Sequence, residues 1–213
     1  MTLIRGVFIT LMLVAPTAAV ADGNSAFVGQ EGSDNNLSID QSAASNSLVR
    51  GLGDWSAQNL LPALAEPVDD RPAAFDAFFP SSVPGGDPLR QHGNNNDAHV
   101  TISGADGSAL MMQLGYGNEG GIELQAEGAR GMLLQAGTGN MGWVRVTADG
   151  AAGILEQSGT NNAMDLHVVS PDARAIVRVH GDNLHAVSPL TVNGSGGSVV
   201  DITVTAQSMG NGG

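Results

Sequence analysis

A short phrase of residues recurs every 22 positions through the middle of the 213-residue chain, and it constrains the fold more than any other feature. The phrase reads Gln-x-Gly-x-x-Asn and is followed by alternating apolar residues. Internal repeats of this length are typical of solenoids, in which each unit stacks on its neighbours. The four units contain the glutamines Gln91, Gln113, Gln135 and Gln157, the glycines Gly93, Gly115, Gly137 and Gly159, and the asparagines Asn96, Asn118, Asn140 and Asn162.

Apolar residues alternate with period two on both sides of each Gly/Asn turn. This is the period of a β-strand, so each unit is predicted to form strand, tight turn, strand. One such unit cannot bury its apolar row alone, whereas stacked units can. The sequence therefore predicts an all-β protein, a β-solenoid of 22-residue rungs with a Pro-rich irregular insertion. Its inward rows are Met111, Leu133, Leu155 and Val177 on the first strand, and Val100, Ile122, Val144 and Leu166 with Ile102, Leu124, Val146 and Val168 on the second.

The recurring Gln and Asn are predicted to form amide ladders, in which each side chain donates to one neighbouring rung and accepts from the other. The alternative is that both residues only solvate the turns. Two further copies flank the main array. A degraded one follows at Val179 to Leu190, and a detached one, with Gln30, Gly32, Asn35 and Gln41, precedes it.

At these residues the chain resembles the curlin repeat of bacterial curli, the functional amyloid of biofilm matrices. Gln30 to Gln41 follows the pattern Gln-x-Gly-x-x-Asn-x-Ala-x-x-x-Gln except for Leu37 at the Ala position. The main array lacks the second Gln, which is replaced by Ile102, Leu124, Val146 and Val168. The resemblance implies a secreted structural subunit that polymerises as stacked β-arches at the cell surface. It also implies two partners, a sister curlin subunit and an outer-membrane curli secretion pore.

Five segments are expected along the chain. Residues 1–21 read as a signal peptide, with Arg5 in the positive region and Ala19-Val20-Ala21 as the cleavage site, and the apolar run between them is too short for a transmembrane span. The others are the detached curlin-like repeat 22–41, an insertion or linker 42–85, a five-rung solenoid 86–190, and a degenerate strand with a Gly-rich tail 191–213.

The insertion is unlike both its neighbours. Six of the nine prolines lie between Pro62 and Pro88, and proline cannot donate to a strand ladder. Aromatic residues are nevertheless concentrated here, at Trp55, Phe75, Phe78 and Phe79. The segment is therefore either a flexible spacer or an arm whose aromatic side chains cover apolar surface, and residues 55–64 could form a short helix.

A second apolar column is expected on the outer face of the first strand, because it alternates with the inward row. Its stacking would create a possible lateral interface, covered by the aromatic arm or by another subunit. The alternative is a looser register in which both strand faces are buried. Glu156 is expected on this outer face, exposed, so that its replacement by Gln should be nearly neutral. The column consists of Leu110, Met132, Ile154 and Ile176.

Composition excludes several classes of function. The formal charge is −13, which argues against nucleic-acid binding. The chain has no Cys for a disulfide or a thiolate metal site, and no Lys for a Schiff base or a P-loop. His92 and His180, and likewise His167 and His185, are too far apart in the solenoid frame to share an ion. We therefore expect no enzyme activity, no metal and no cofactor.

Three functions are compared with these features. The first is a self-assembling subunit of a curli-like fibre, exported to the cell surface, where it would serve in adhesion and the biofilm matrix. The second is a monomeric β-solenoid adhesin or binding module. The third is a β-helical enzyme acting on polysaccharides, which would need a longer solenoid and a cluster of charged residues on one face.

Overall fold

The computed structural model describes residues 24–26, 28–50, 89–194 and 199–205. The expected signal peptide, most of the insertion with its short helix and aromatic residues, and the end of the tail lie outside these residues. All regular elements described are strands: β1 Ser25–Ala26, β2 Val28–Glu31, β3 Asn36–Asp40, β4 Leu48–Arg50, β5 Leu89–Asn94, β6 Asp97–Ile102, β7 Ser108–Tyr116, β8 Glu119–Leu124, β9 Arg130–Thr138, β10 Met141–Val146, β11 Ala152–Thr160, β12 Ala163–Val168, β13 Arg174–Asp182, β14 Leu190–Val192 and β15 Val199–Thr205.

The strands form two parallel sheets that face each other. The first, called sheet A, has nine strands and contains β1, β2, β4, β5, β7, β9, β11, β13 and β15; the second, sheet B, has the order β14-β12-β10-β8-β6-β3. In the central rungs the pairing is in register at the 22-residue offset, as in Gln113 with Gln135 and Val144 with Leu166. The predicted all-β solenoid is confirmed, with about six turns.

The core lies between the two sheets. The predicted inward rows of both strands belong to one buried cluster, and each of their side chains is at most 1% exposed. Small residues stand beside them in sheet B, where Ala98 stacks on Gly120 and Gly142. A Cβ on Gly142 would lie 2.5 Å from Oε1 of Gln157, so the absence of a side chain lets the amide reach between the sheets.

The N-terminal repeat is detached in sequence but stacked in the structure. Strand β2 pairs with β5, and β3 pairs with β6, so this repeat forms the first rung of the solenoid. The next strand row of sheet A consists of two strands, β4 and β5, because both of them pair with β7. Residues 51–88 are therefore inserted within a single strand row, between Arg50 and Leu89.

Each rung turns through residues with left-handed backbone at two places. The first place is two residues after the repeat glycine, where φ lies between 52° and 66°. It is occupied by Asp34, Asn95, Gly117, Gly139, Asn161 and Asn183. The second place, at the opposite turn, is filled by Asn46, Asp106, Gly128, Gly150 and Asp172, with φ between 53° and 64°. Asn, Asp and Gly tolerate this conformation best, so both columns are explained by backbone geometry.

Candidate assembly site

The repeat glutamines form one continuous column of hydrogen-bonded amides inside the solenoid. Nε2 of Gln91 donates to Oε1 of Gln113 over 2.8 Å, and the same bond joins Gln113 to Gln135 and Gln135 to Gln157. Gln30 donates to Gln91 in the same way, so the N-terminal repeat extends the column. The array glutamines are at most 1% exposed. Donation runs in one direction throughout, from the N-terminal rung toward the C-terminal rungs.

The asparagines form a second column whose hydrogen bonds run in the opposite direction. Both the backbone N–H and the Nδ2 of Asn118 donate to Oδ1 of Asn96, each over 3.1 Å, and the pattern repeats at the next two asparagines. Asn96 donates in the same way to Asn35. Each Nδ2 also donates to the glycine carbonyl of the following rung, as from Asn140 to Gly159. The side chains therefore satisfy turn groups that would otherwise be buried and unpaired.

The repeat glycines stand where adjacent rungs approach most closely. Gly32, Gly93, Gly115, Gly137 and Gly159 have φ between 117° and 123°. A Cβ on any of them would lie 1.7–2.0 Å from the carbonyl oxygen of the next glycine in the column. No side chain fits at that separation, so the third residue of the phrase has to be glycine wherever another rung follows.

Gln41 does not take part in a ladder. It follows β3, where the register places it beside Ile102, which has no amide. Its Nε2 is buried and has no hydrogen-bond partner among the described residues. The loss of the second Gln from the array therefore leaves Gln41 with no side-chain partner above it.

Both polar columns end before the last rows of the solenoid. In sheet A, Gln157 is followed by Val179 and then Val204. Its amide therefore has no side-chain acceptor on the next rung and keeps only the two bonds to backbone carbonyls that the other array glutamines also make. In the asparagine column, the last Oδ1 accepts the backbone N–H of Leu184 over 3.1 Å. The C-terminal end of the solenoid is thus closed by apolar side chains, whereas the N-terminal end carries amides.

The predicted outer column lies on the face of sheet A that points away from the core. It forms a second apolar cluster together with Met112, Leu134 and Ala152. All four predicted residues are buried: Leu110 is 1% exposed, Met132 and Ile154 are 0% and Ile176 is 7%. These side chains are therefore not part of the exposed surface in this structure. The aromatic residues suggested as their cover lie outside the described residues.

Glu156 was expected to be exposed, and this expectation is wrong. It does lie on the outer face, stacked between Leu134 and Arg178, but only 5% of it is exposed because that face is buried. Burial raises the pKa of Glu156 to about 7, against the opposing effect of the Arg178 charge. Its Oε1 lies 4.0 Å from Nε2 of His180, and its Oε2 has no hydrogen-bond partner among the described residues.

The outer face of sheet B carries polar and charged side chains. Nε of Arg145 donates to Oε2 of Glu123 on the adjacent rung over 2.6 Å. Burial works to raise the pKa of Glu123, but hydrogen bonds from Arg145 and Gln125 outweigh it and hold that pKa below its usual value. Trp143 on the same face occupies the space above Gly121, where a Cβ would lie 2.3 Å from its ring. These contacts link neighbouring rungs from outside.

Across residues 24–50, 89–194 and 199–205, apart from residue 27, no group of three His, Cys, Asp or Glu side chains could hold a metal ion. Within the same part of the chain, no helix is both long and apolar enough to cross a membrane.

One family model matches a short part of the chain. Residues 20–42 match the family model of the curlin associated repeat. No curated protein and no solved structure is significantly similar to the chain. The matched residues contain Gln30, Gly32 and Asn35, which begin the three columns that run through the solenoid. Residues 20–42 are therefore similar to the curlin associated repeat, and the same columns continue from them through the array.

Proposed function

We propose that this protein is a secreted structural subunit of a curli-like amyloid fibre at the cell surface, assembled by stacking of β-arch rungs. The observation that carries the proposal is the continuous amide column from Gln30 to Gln157 within an in-register parallel stack. Such columns of identical amides add to the backbone pairing that holds the in-register strands of cross-β fibres together. Adhesion and a biofilm matrix are the roles that follow from a fibre in that location.

The ends of the solenoid support assembly as well. Among the described residues, no strand pairs with the outer edges of β2 and β3 or of β14 and β15. Unpaired strand edges are templates for pairing with another chain. The partners we propose are further copies of this chain, a sister curlin subunit, and an outer-membrane secretion pore reached after cleavage of residues 1–21.

A direct test uses the mature chain from Asp22 to Gly213. Incubation, alone or with a second curlin, should give SDS-resistant, thioflavin-binding fibres with a cross-β reflection at about 4.8 Å along the fibre axis. Mass spectrometry of the exported protein should give a chain that begins at Asp22. A chain that stays monomeric at all concentrations, alone and with a second curlin, would contradict the fibre proposal.

One observation favours a second candidate, a monomeric β-solenoid adhesin or binding module. The polar columns end at Val179 and Leu184 with their last amides already satisfied, as expected of an end that has no need of another rung. Terminal rungs of solenoids often differ from the interior ones for this reason. Persistence of the monomer in the fibre test would favour this candidate.

A further inference from the structure

At the N-terminal edge of the solenoid, the rung formed by β2 and β3 has hydrogen-bonding groups without partners among the described residues. The equivalent groups of the interior rungs are paired. In every interior rung, the Oε1 of the repeat Gln accepts from the Gln of the preceding rung, but no donor among the described residues reaches Oε1 of Gln30. The backbone N–H of Asn96 has Oδ1 of Asn35 as its acceptor, whereas the described part of the chain offers no such acceptor to the N–H of Asn35. This edge therefore presents one open amide acceptor and one open N–H donor.

The interior geometry specifies what a rung docked in parallel on this edge must contain. A Gln at the first position would donate its Nε2 to Gln30, and an Asn at the sixth would supply Oδ1 to Asn35, as in each interior step. The third position must be Gly, because a Cβ there would meet the carbonyl oxygen of Gly32 at the separation of 1.7–2.0 Å seen throughout the column. The required rung is therefore Gln-x-Gly-x-x-Asn.

The chain's own C-terminal end does not meet these requirements. Among the described residues, the outermost one in the Gln column is Val204 and the outermost one in the Asn column is Leu184. A copy docked there would enclose Oε1 of Gln30 and the N–H of Asn35 against apolar side chains, and unsatisfied buried polar groups are costly. In addition, β15 extends sheet A one row beyond β14 in the described part of sheet B, so the two ends are not flush.

Resting on the proposed function, we infer that the solenoid is one-ended: the edge formed by β2 and β3 is a docking surface for a Gln-x-Gly-x-x-Asn rung of a different chain, and the edge formed by β14 and β15 is not its complement. Assembly then extends from the N-terminal edge by heterotypic contact. The C-terminal edge terminates the amide columns within this chain.

Because the sequence contains no cysteine, a single introduced cysteine allows either edge to be labelled by itself. A fluorophore is attached at Ser38→Cys in β3 or at Thr191→Cys in β14, both exposed positions, on the otherwise unchanged mature chain. The probe is a synthetic peptide copying residues 130–146, which contain Gln135, Gly137 and Asn140. The control peptide carries Gln135→Val and Asn140→Leu, the residue types found at the C-terminal end.

The Ser38 fluorophore should respond to the probe peptide at a concentration at least tenfold lower than to the control peptide, and the Thr191 fluorophore should respond to neither. A Gln30→Val, Asn35→Leu variant with an unchanged circular dichroism spectrum should lose the preference. Equal affinity for the two peptides, a response at Thr191, or energy transfer between Ser38-labelled and Thr191-labelled copies in solution would overturn the inference.

The test separates this inference from the fibre proposal. Fibres of the chain alone in which Ser38 and Thr191 labels meet would retain the proposed function and refute the one-ended solenoid. Preference of the Ser38 edge for the probe peptide without fibres under any condition would retain the docking surface and refute the fibre.

Discussion

Nε2 of Gln113 lies 2.8 Å from Oε1 of Gln135, and neither side chain is more than 1% exposed. A primary amide is strongly polar, so its burial between two apolar sheets is tolerated because neighbouring amides and backbone carbonyls pair with it. Apolar rows set the distance between the sheets, and the amide column holds the rungs in register. This relationship underlies the first prediction.

Gln135→Leu should lower the free energy of unfolding by about 1–3 kcal/mol, although it adds apolar surface to the core. It removes the donor to Gln157 and the acceptor of Gln113, both of which are buried. Chemical denaturation of the mature chain measures the effect. The control is Glu119→Gln, an exposed position on the preceding strand β8, expected to lie within about 0.5 kcal/mol of wild type. Equal effects of the two substitutions would contradict a structural role for the amide column.

Gly137→Ala should cost about 3 kcal/mol or more and slow any assembly that depends on the folded rungs. Its φ of 119° is disfavoured for alanine, and the new Cβ would lie 2.0 Å from the carbonyl oxygen of Gly159. Gly117→Asn is the matched control, because nothing lies within 4 Å of a Cβ there and Asn occupies the same column at residue 161. The melting temperature of this control in thermal unfolding should stay close to that of the wild type. A tolerated Gly137→Ala would mean that the rungs are farther apart than described.

The pH dependence of stability should carry the signature of Glu156. Its folded pKa of about 7 lies above the ordinary value of 4.5, so the folded state holds the proton more tightly. Glu156 therefore destabilises the fold progressively as pH rises from about 4.5 to 7, by on the order of 3 kcal/mol in total. Glu156→Gln should remove this loss, making the variant more stable than wild type at pH 8.

The groups that face Glu156 are Arg178 and His180, with Asp201 hydrogen-bonded to Arg178 over 2.6 Å. Burial lowers the pKa of His180, so its contribution has the opposite sign: it destabilises the fold as pH falls below its ordinary value of 6.5. Denaturation of wild type and Glu156→Gln from pH 4 to 8 separates the two. Parallel curves for both proteins would show that Glu156 is not buried in solution.

Two methionines on outer faces provide a test of the second apolar cluster. Met132 on sheet A is 0% exposed, whereas Met141 on sheet B is 47% exposed. Met132→Ala should therefore cost about 2–5 kcal/mol, as for a core residue, and Met141→Ala less than about 0.5 kcal/mol. Similar small costs would mean that the outer face of sheet A is accessible in the mature protein, as a lateral interface would require.

Much of this fold follows from the sequence, because the 22-residue period and the period-two alternation together specify which residues stack and which face they occupy. Leu133 and Val144 could be placed in the core on that basis alone. The spacing also explains why Gln and Asn recur, since buried amides need identical neighbours.

Alternation specifies the face of a strand but not whether that face is covered, which is why the burial of Glu156 and Met132 could not be predicted. The left-handed turn positions were missed for a different reason. They are filled variously by Asp34, Asn95 and Gly117, which share a backbone conformation rather than a residue type. A search for Asn, Asp or Gly recurring at 22 residues would have found both columns.

The division of one strand row between β4 and β5 has a consequence for the order in which the solenoid forms. Between Gln91 and Val179 each rung joins a neighbour only 22 residues away, but the contact between Gln30 and Gln91 spans 61 residues. Longer closures cost more chain entropy and form more slowly, so the array should fold first and receive the N-terminal repeat last. The first rung, formed by β2 and β3 with the curlin-like repeat, should then also be the rung that separates from its neighbour most readily. Unfolding of the solenoid, during storage or on heating, should therefore begin at this end.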